Sequence, residues 1–143
     1  MSLSLKDLRN AIASQILTIA DTQQSPHPPD YFGRTQSTIA HKSFTVGLGV
    51  VIGMNERQRQ SVGVYVRTSV TVTFAYRLRP LDVYPTDYNN ALALESEIIQ
   101  KVLSDYSAIN GKVQIRFESS DRNATASNEY SLHRLEFSVL HTL

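Results

Sequence analysis

Cysteine is absent from the sequence, which excludes disulfides, thiol nucleophiles and cysteine-ligated metals and leaves the redox compartment open. Charge is scarce too. Charged residues fill 19% of the 143 positions, below the usual quarter, and the formal net charge is +1. That balance points to no strongly basic or acidic partner. It also hints that something other than charge covers part of the surface. No apolar run reaches the length of a membrane span, and the N-terminus lacks a basic-then-apolar leader. The expectation is a soluble, intracellularly made chain with no membrane partner. Repeats are missing as well. What remains suits one domain, with 41% hydrophobic residues to build a single core.

Signatures of catalysis are also lacking. The four histidines, His27, His41, His133 and His141, are scattered without ligand-like spacing, so each reads as structural or surface. There is no nucleophile elbow, Walker loop or dinucleotide fingerprint. Gly47-Leu48-Gly49 lies inside a strand pattern and opens no helix, so it cannot cradle phosphate as a helix terminus would. Asn123-Ala124-Thr125 fits a glycosylation acceptor, but no secretion signal supports it. No catalytic residue, cofactor or metal is expected. Two arginine pairs, Arg57 with Arg59 and Arg77 with Arg79, lack stacking aromatics or a recognition helix and read as solvated surface.

Hydrophobic periodicity then sets out the elements. Leu5, Leu8, Ile12, Ile16 and Ile19 share one helical face from Ser4 to Ala20, with Ser4 as cap and Asp7 near the positive helix end. Asp21 to Ala40 is a long connection holding Pro26, Pro28 and Pro29, and Tyr31 and Phe32 within it are candidate contacts for another surface. His41 to Ile52 alternates with Phe44, Val46, Leu48, Val50 and Ile52 inward. A polar loop, GMNERQRQS, leads into the longest alternating run, Val62 to Leu78, which Pro80 ends. A loop centred on Arg57 pairs Phe44 with Val70, Leu48 with Val66, Ile52 with Val62 and Gly49 with Tyr65.

Asp87 to Tyr106 reads as a second helix with Thr86 or Asp87 as cap. Tyr88, Leu92, Glu95, Ile99, Val102 and Tyr106 lie along its stripe, with Glu95 placed at the edge of the buried face. Lys112 to Glu118 is a short strand, SSDRNATASN a loop, and Tyr130 to Leu143 a last strand. A change of phase in that strand predicts a bulge near His133-Arg134. The fold expected is α+β: an antiparallel sheet with a long β-hairpin and two helices packed on one face, in the order α-β-β-α-β-β, spanning residues 1–143 as one domain.

The run Val62 to Leu78 is too long for its domain. At about 3.3 Å per residue it spans roughly 56 Å, against a diameter of very roughly 37 Å for a compact chain of this size. Its far end outruns the expected partner and calls for another, the C-terminal strand being the candidate. Its outward row carries Tyr65, Ser69, Thr71 and Thr73 with Arg67 as the lone charge. Exposed strands in monomers usually carry more charge than this. Either the 21–40 loop or a neighbouring subunit covers that row.

In order and texture the sequence resembles the tail terminator (tail completion) proteins of long-tailed bacteriophages. The resemblance rests on the helix LKDLRNAIASQIL, the strand VTVTFAYRLRP, and the segment DYNNALALESEIIQKVL, where a tyrosine-led turn enters a helix. It implies a virion protein of the tail or neck, assembled in the host cytoplasm. Such a protein forms a ring, usually a hexamer, on the last ring of the tail tube. The ring stops tube polymerisation and docks the tail to the head connector, with DNA passing through its lumen. The implied partners are other copies of the chain, the tail tube protein and the head–tail connector protein, with passive contact to DNA. The family carries no specific residue over to this chain. From the residues themselves, Arg57, Arg59, Tyr65, Arg67, Ser69, Thr71, Thr73, Tyr31 and Phe32 are the candidate subunit or partner contacts. A connector adaptor or other neck or tube component, and a small ligand-binding α+β domain, remain as alternatives.

Overall fold

A computed structural model of the chain describes residues 3–25, 42–54, 64–78, 84–104, 113–124 and 130–143. Its elements are α1 (Leu5–Ile16), β1 (Gln23–Gln24), β2 (Ser43–Gly53), β3 (Tyr65–Arg77), α2 (Tyr84–Ser104), β4 (Gln114–Ala124) and β5 (Tyr130–Thr142). They build an α+β fold with one five-stranded sheet in the order β1-β2-β3-β5-β4.

The element order departs from expectation at β1. Gln23 and Gln24 pair in parallel with Ser43 and Phe44, so the sheet is mixed rather than wholly antiparallel. Two glutamines carry no strand signal of their own. They pair because a tight turn after α1 brings the chain back beside β2: Thr22 Oγ1 donates to Ile16 O at 3.0 Å, and Asp21 adopts φ 65. Aspartate tolerates that left-handed conformation better than most residues. At the other end of α1, Ser4 Oγ accepts from the Asp7 amide at 3.1 Å, forming the expected cap.

Both helices lie on one face of the sheet and share its core. Leu8, Ile12 and Ile16 of α1 and Ala91, Leu94, Ile98 and Val102 of α2 pack with Phe44, Val46, Val70, Val72, Phe74, Leu135, Phe137 and Val139 in one cluster. α2 begins at Tyr84, earlier than expected, with Pro85 in its first turn. Proline's missing N–H costs nothing there, which is why YP opens the helix instead of closing the preceding turn.

β3 is the central strand, which accounts for its length. β2 pairs with it through Ala75, and β5 pairs with every residue from Tyr65 to Arg77. The far end that lacked a partner on paper is therefore paired, on both sides as far as Ala75 and by β5 alone at Tyr76 and Arg77. The β2–β3 register sits four residues from the expected one: Phe44 faces Phe74, and Leu48 faces Val70. An even-numbered slip keeps each side chain on its face, so the alternation alone could not distinguish the two registers. Burial of Phe44 and Phe74 side by side, both fully covered, decides between them. The residues around Arg57 that were to centre the loop lie outside the described residues.

Beyond Leu48 the pairing shifts by one, to Val51 opposite Thr68 and Ile52 opposite Arg67. Gly49 and Val50 stand against Ser69 alone, with the ideal Cβ position of Gly49 at 3.5 Å from Ser69 Cβ. This bulge turns Ile52 to the side of Arg67, reversing the expected inward Ile52 and outward Val51. It also places Gly49 beside Ser69 rather than opposite Tyr65.

β4 extends to Ala124, so SSDRNA is strand where a loop was expected. The bulge foreseen in β5 is in β4 instead, between Phe117 and Ser119. β5 keeps one phase throughout. Ser131, His133, Leu135, Phe137, Val139 and His141 all point to the helices and are buried, while Leu132 packs with Ala75 and Tyr130 on the opposite face. The sequence pattern misled because apolar Tyr130 and Leu132 look inward and polar Ser131 and His133 do not.

Candidate functional site

The outer face of the sheet, away from the helices, holds the contact residues expected on β3. Tyr65, Arg67, Ser69, Thr71 and Thr73 form its outward row, but they differ in exposure: Arg67 is exposed, Tyr65, Ser69 and Thr71 are half-buried, and Thr73 is buried. Ser43, Thr45 and Ala75 beside Thr73 are buried too. This chain alone therefore covers much of that end of the face, with Thr73 8% exposed at the floor of the groove described below. Tyr31, Phe32, Arg57 and Arg59 lie outside the described residues.

Toward the other end the face is open. Val50 is 63% exposed and Ile52 50%, beside the glycines Gly47 and Gly49. The β2–β3 half of the face is thus neutral, small or apolar, with Arg67 its main charge. The β5–β4 half carries Arg134, Glu136, Arg116 and Asp121. Glu136 takes hydrogen bonds from Arg134 Nε and from Thr71 Oγ1, both at 2.9 Å, linking the two halves. A groove of about 420 Å³ runs across the join, from Gly47 and Gly49 over Thr71 and Thr73 to Arg134 and Asp121.

The free edge of β2 is partly closed. Gln23 N–H donates to Lys42 O at 3.2 Å and Ser25 N–H to Phe44 O at 2.8 Å. From α1, Arg9 Nε donates to Val46 O at 2.7 Å. Three carbonyls of the edge are thereby occupied before the exposed valines begin.

Inside the fold sits a polar cluster that the sequence reading did not anticipate. Glu95 is buried within the α2 face, not at its margin. Arg122 Nε donates to Glu95 Oε1 at 2.9 Å and Arg122 Nη2 to Oε2 at 2.6 Å; Ser120 Oγ adds a bond of 3.1 Å. His133 Nδ1 lies 2.7 Å from Glu95 Oε1, and its Nε2 lies 2.8 Å from Ser131 Oγ. The carboxylate can only accept, so Nδ1 carries the proton and Nε2 accepts from the serine hydroxyl. Phe74 stacks on the imidazole at 4.4 Å between centroids.

Two opposing effects set the charge states. Burial pushes the Glu95 carboxyl up, but the hydrogen bonds from Arg122 and His133 outweigh it and hold the group below its ordinary value. Burial pushes the His133 imidazole down, with only partial relief from Glu95, so the ring is neutral near pH 7. His141 is a second buried imidazole held down by burial; its Nδ1 donates to Leu3 O at 3.1 Å and its Nε2 accepts from Thr68 Oγ1 at 2.7 Å.

Ser131, His133 and Glu95 follow the hydrogen-bond order of a nucleophilic triad. Chemistry needs more than order. Ser131 is 3% exposed and His133 0%, so no acyl group reaches the hydroxyl in this conformation. The cluster instead clasps α2 to β4 and β5. Its sequence signal was present: Glu95 interrupts an apolar stripe, and Ser131, His133 and His141 fall in phase with Leu135, Phe137 and Val139. Among the described residues no group of histidines, aspartates and glutamates is placed to hold a metal ion, and no helix is long and apolar enough to cross a membrane. No protein-family model matches the chain, and no curated protein sequence matches it.

Proposed function

We propose that this protein is a ring-forming structural component of a phage tail, the tail terminator that caps the tail tube and docks it to the head connector. One observation carries the reading. The open end of β2 exposes Val50 and Ile52 together on the outer face, next to two glycines and with Arg67 as the nearby charge. Apolar residues grouped in this way on a sheet commonly mark a protein contact surface. A closed ring needs two different complementary surfaces per subunit, because each copy must touch its two neighbours through unlike faces. The resemblance in the α1, β3 and α2 segments supports the particular assignment. The protein acts by binding, through assembly and docking.

The test is light scattering on the purified chain followed by tube assembly with a tail tube protein. The expected result is a ring of defined mass, and tubes that stop growing when the protein is added. Rings that dock to a connector but leave tube growth unchanged would point instead to a connector adaptor or other neck component. A chain that stays monomeric both alone and at tube ends refutes the ring.

A further inference from the structure

The ring reading leaves open which two faces meet, and the charges on opposite sides of the molecule address that question. On the helix layer, the exposed positions of α2 from Asn89 to Ser104 carry charge only at Glu97 and Lys101; the others are Asn, Ala, Ser and Gln. Neither Glu97 nor Lys101 has an ion-pair partner among the described residues. A solvent-facing helix usually carries a denser mix of charge than this. On the sheet layer, opposite the helices, Arg134 lines the groove, and Glu136, its ion-pair partner at 2.9 Å, stands two positions on along β5.

The two pairs match in sign and spacing. One helical turn separates Glu97 from Lys101 by about 6 Å along the axis. Two strand residues separate Arg134 from Glu136 by about 6.8 Å. With α2 of one copy laid along β5 of another, Glu97 meets Arg134 and Lys101 meets Glu136. The four charges then alternate in one line. Beside that line, the small side chains of α2 lie over Gly47 and Gly49, where the sheet has no side chain to hold the helix away. The ideal Cβ position of Gly47 has no neighbour closer than 3.9 Å, so the floor there is open.

We propose that the outer-face groove is the seat for α2 of a second copy of this chain, with Glu97–Arg134 and Lys101–Glu136 as the pairs that fix its register. The contact is head-to-tail, because the helix side of one subunit meets the sheet side of the next, and such contacts make a ring when the rotation between copies closes and a filament when it does not. The inference rests on the ring reading and names its interface. Charge pairs of this exposed kind set register and specificity more than affinity.

Charge reversal in the full-length chain tests it, with circular dichroism to confirm folding. Glu97→Lys and Arg134→Glu are each expected to weaken self-association at least tenfold, read as a fall in assembled mass by light scattering. Mixing the two variants is expected to restore the assembly, because each then offers the complement of the other. The double swap Glu97→Lys with Lys101→Glu leaves the sheet untouched and is expected to disrupt assembly as well. Lys6→Glu on the exposed side of α1 serves as a reversal elsewhere and is expected to leave the mass unchanged. Wild-type assembly that ignores both single reversals, or a mixture that stays dissociated, overturns this contact and leaves the ring standing. A wild-type chain that never assembles removes the ring and the contact together.

Discussion

Replacing Glu95 by leucine tests whether the buried cluster clasps α2 to the sheet. Glu95 accepts from Ser120, twice from Arg122 and once from His133. These bonds differ in worth. The Arg122 side chain is 36% exposed and can turn to water, so losing its pair costs little, about 0–1 kcal/mol. His133 has no such escape. Its Nδ1–H would be left without its carboxylate in a fully buried site, at about 1–3 kcal/mol. The sum is about 3 kcal/mol, or roughly 10–15 °C in Tm for a chain of this size. Urea unfolding followed by circular dichroism measures it. The double variant Glu95→Leu with His133→Phe removes donor and acceptor together, and is expected to recover about 2 kcal/mol of the loss. A single variant within about 0.5 kcal/mol of wild type, or a double variant no better than the single, would falsify the clasp.

Other outcomes follow from the same geometry. His133 and His141 are held below their ordinary value by burial, so the unfolded chain binds more protons as pH falls below about 6.5; stability is full above that pH and declines below it. Glu95 adds a second decline below its ordinary value of 4.5, and urea midpoints measured against pH should resolve both steps. Phe74→Ala removes a fully buried ring that also stacks on His133, with an expected cost of about 3–5 kcal/mol by denaturant titration. Thr71→Lys is expected to leave the circular dichroism spectrum intact while lowering assembled mass, whereas Thr73→Lys, at a buried position, is expected to lower the unfolding midpoint directly; equal effects on folding at both sites would count against Thr71 as a contact.

Much of the fold was legible because periodicity reports which side of an element is buried. The Ser4 cap and the apolar faces of α1, β3 and the first half of β2 came through, as did both helices; the cap expected at Thr86 or Asp87 did not, because α2 already starts at Tyr84. The register of β2 against β3 did not. A slip of four preserves every facing, and only the pairing of Phe44 beside Phe74 within the core breaks the tie. β4 was read as ending at Glu118 because its second half is polar. That half is held by Asp121 opposite Arg134 and by Arg122 reaching Glu95, partners that no local pattern announces. Of the candidate contacts, the row from Tyr65 to Thr73 was found as a row. Which of its members are open to a partner depends on burial that alternation does not report, from exposed Arg67 to Thr73 at 8%. The buried cluster was overlooked for a related reason: Glu95 and His133 are each poor core residues alone and satisfactory ones together.

The central position of β3 also sets an order of events during synthesis. β2 is available as soon as β3 is made, but Arg77 must wait for Tyr130 and Tyr65 for Thr142 before the second side is paired. At typical translation rates that wait lasts roughly 3–15 s. For those seconds a nascent chain presents a valine- and threonine-rich strand with one side unpaired, so slowing translation between α2 and β5 would raise the fraction lost to misassembly rather than help the chain fold.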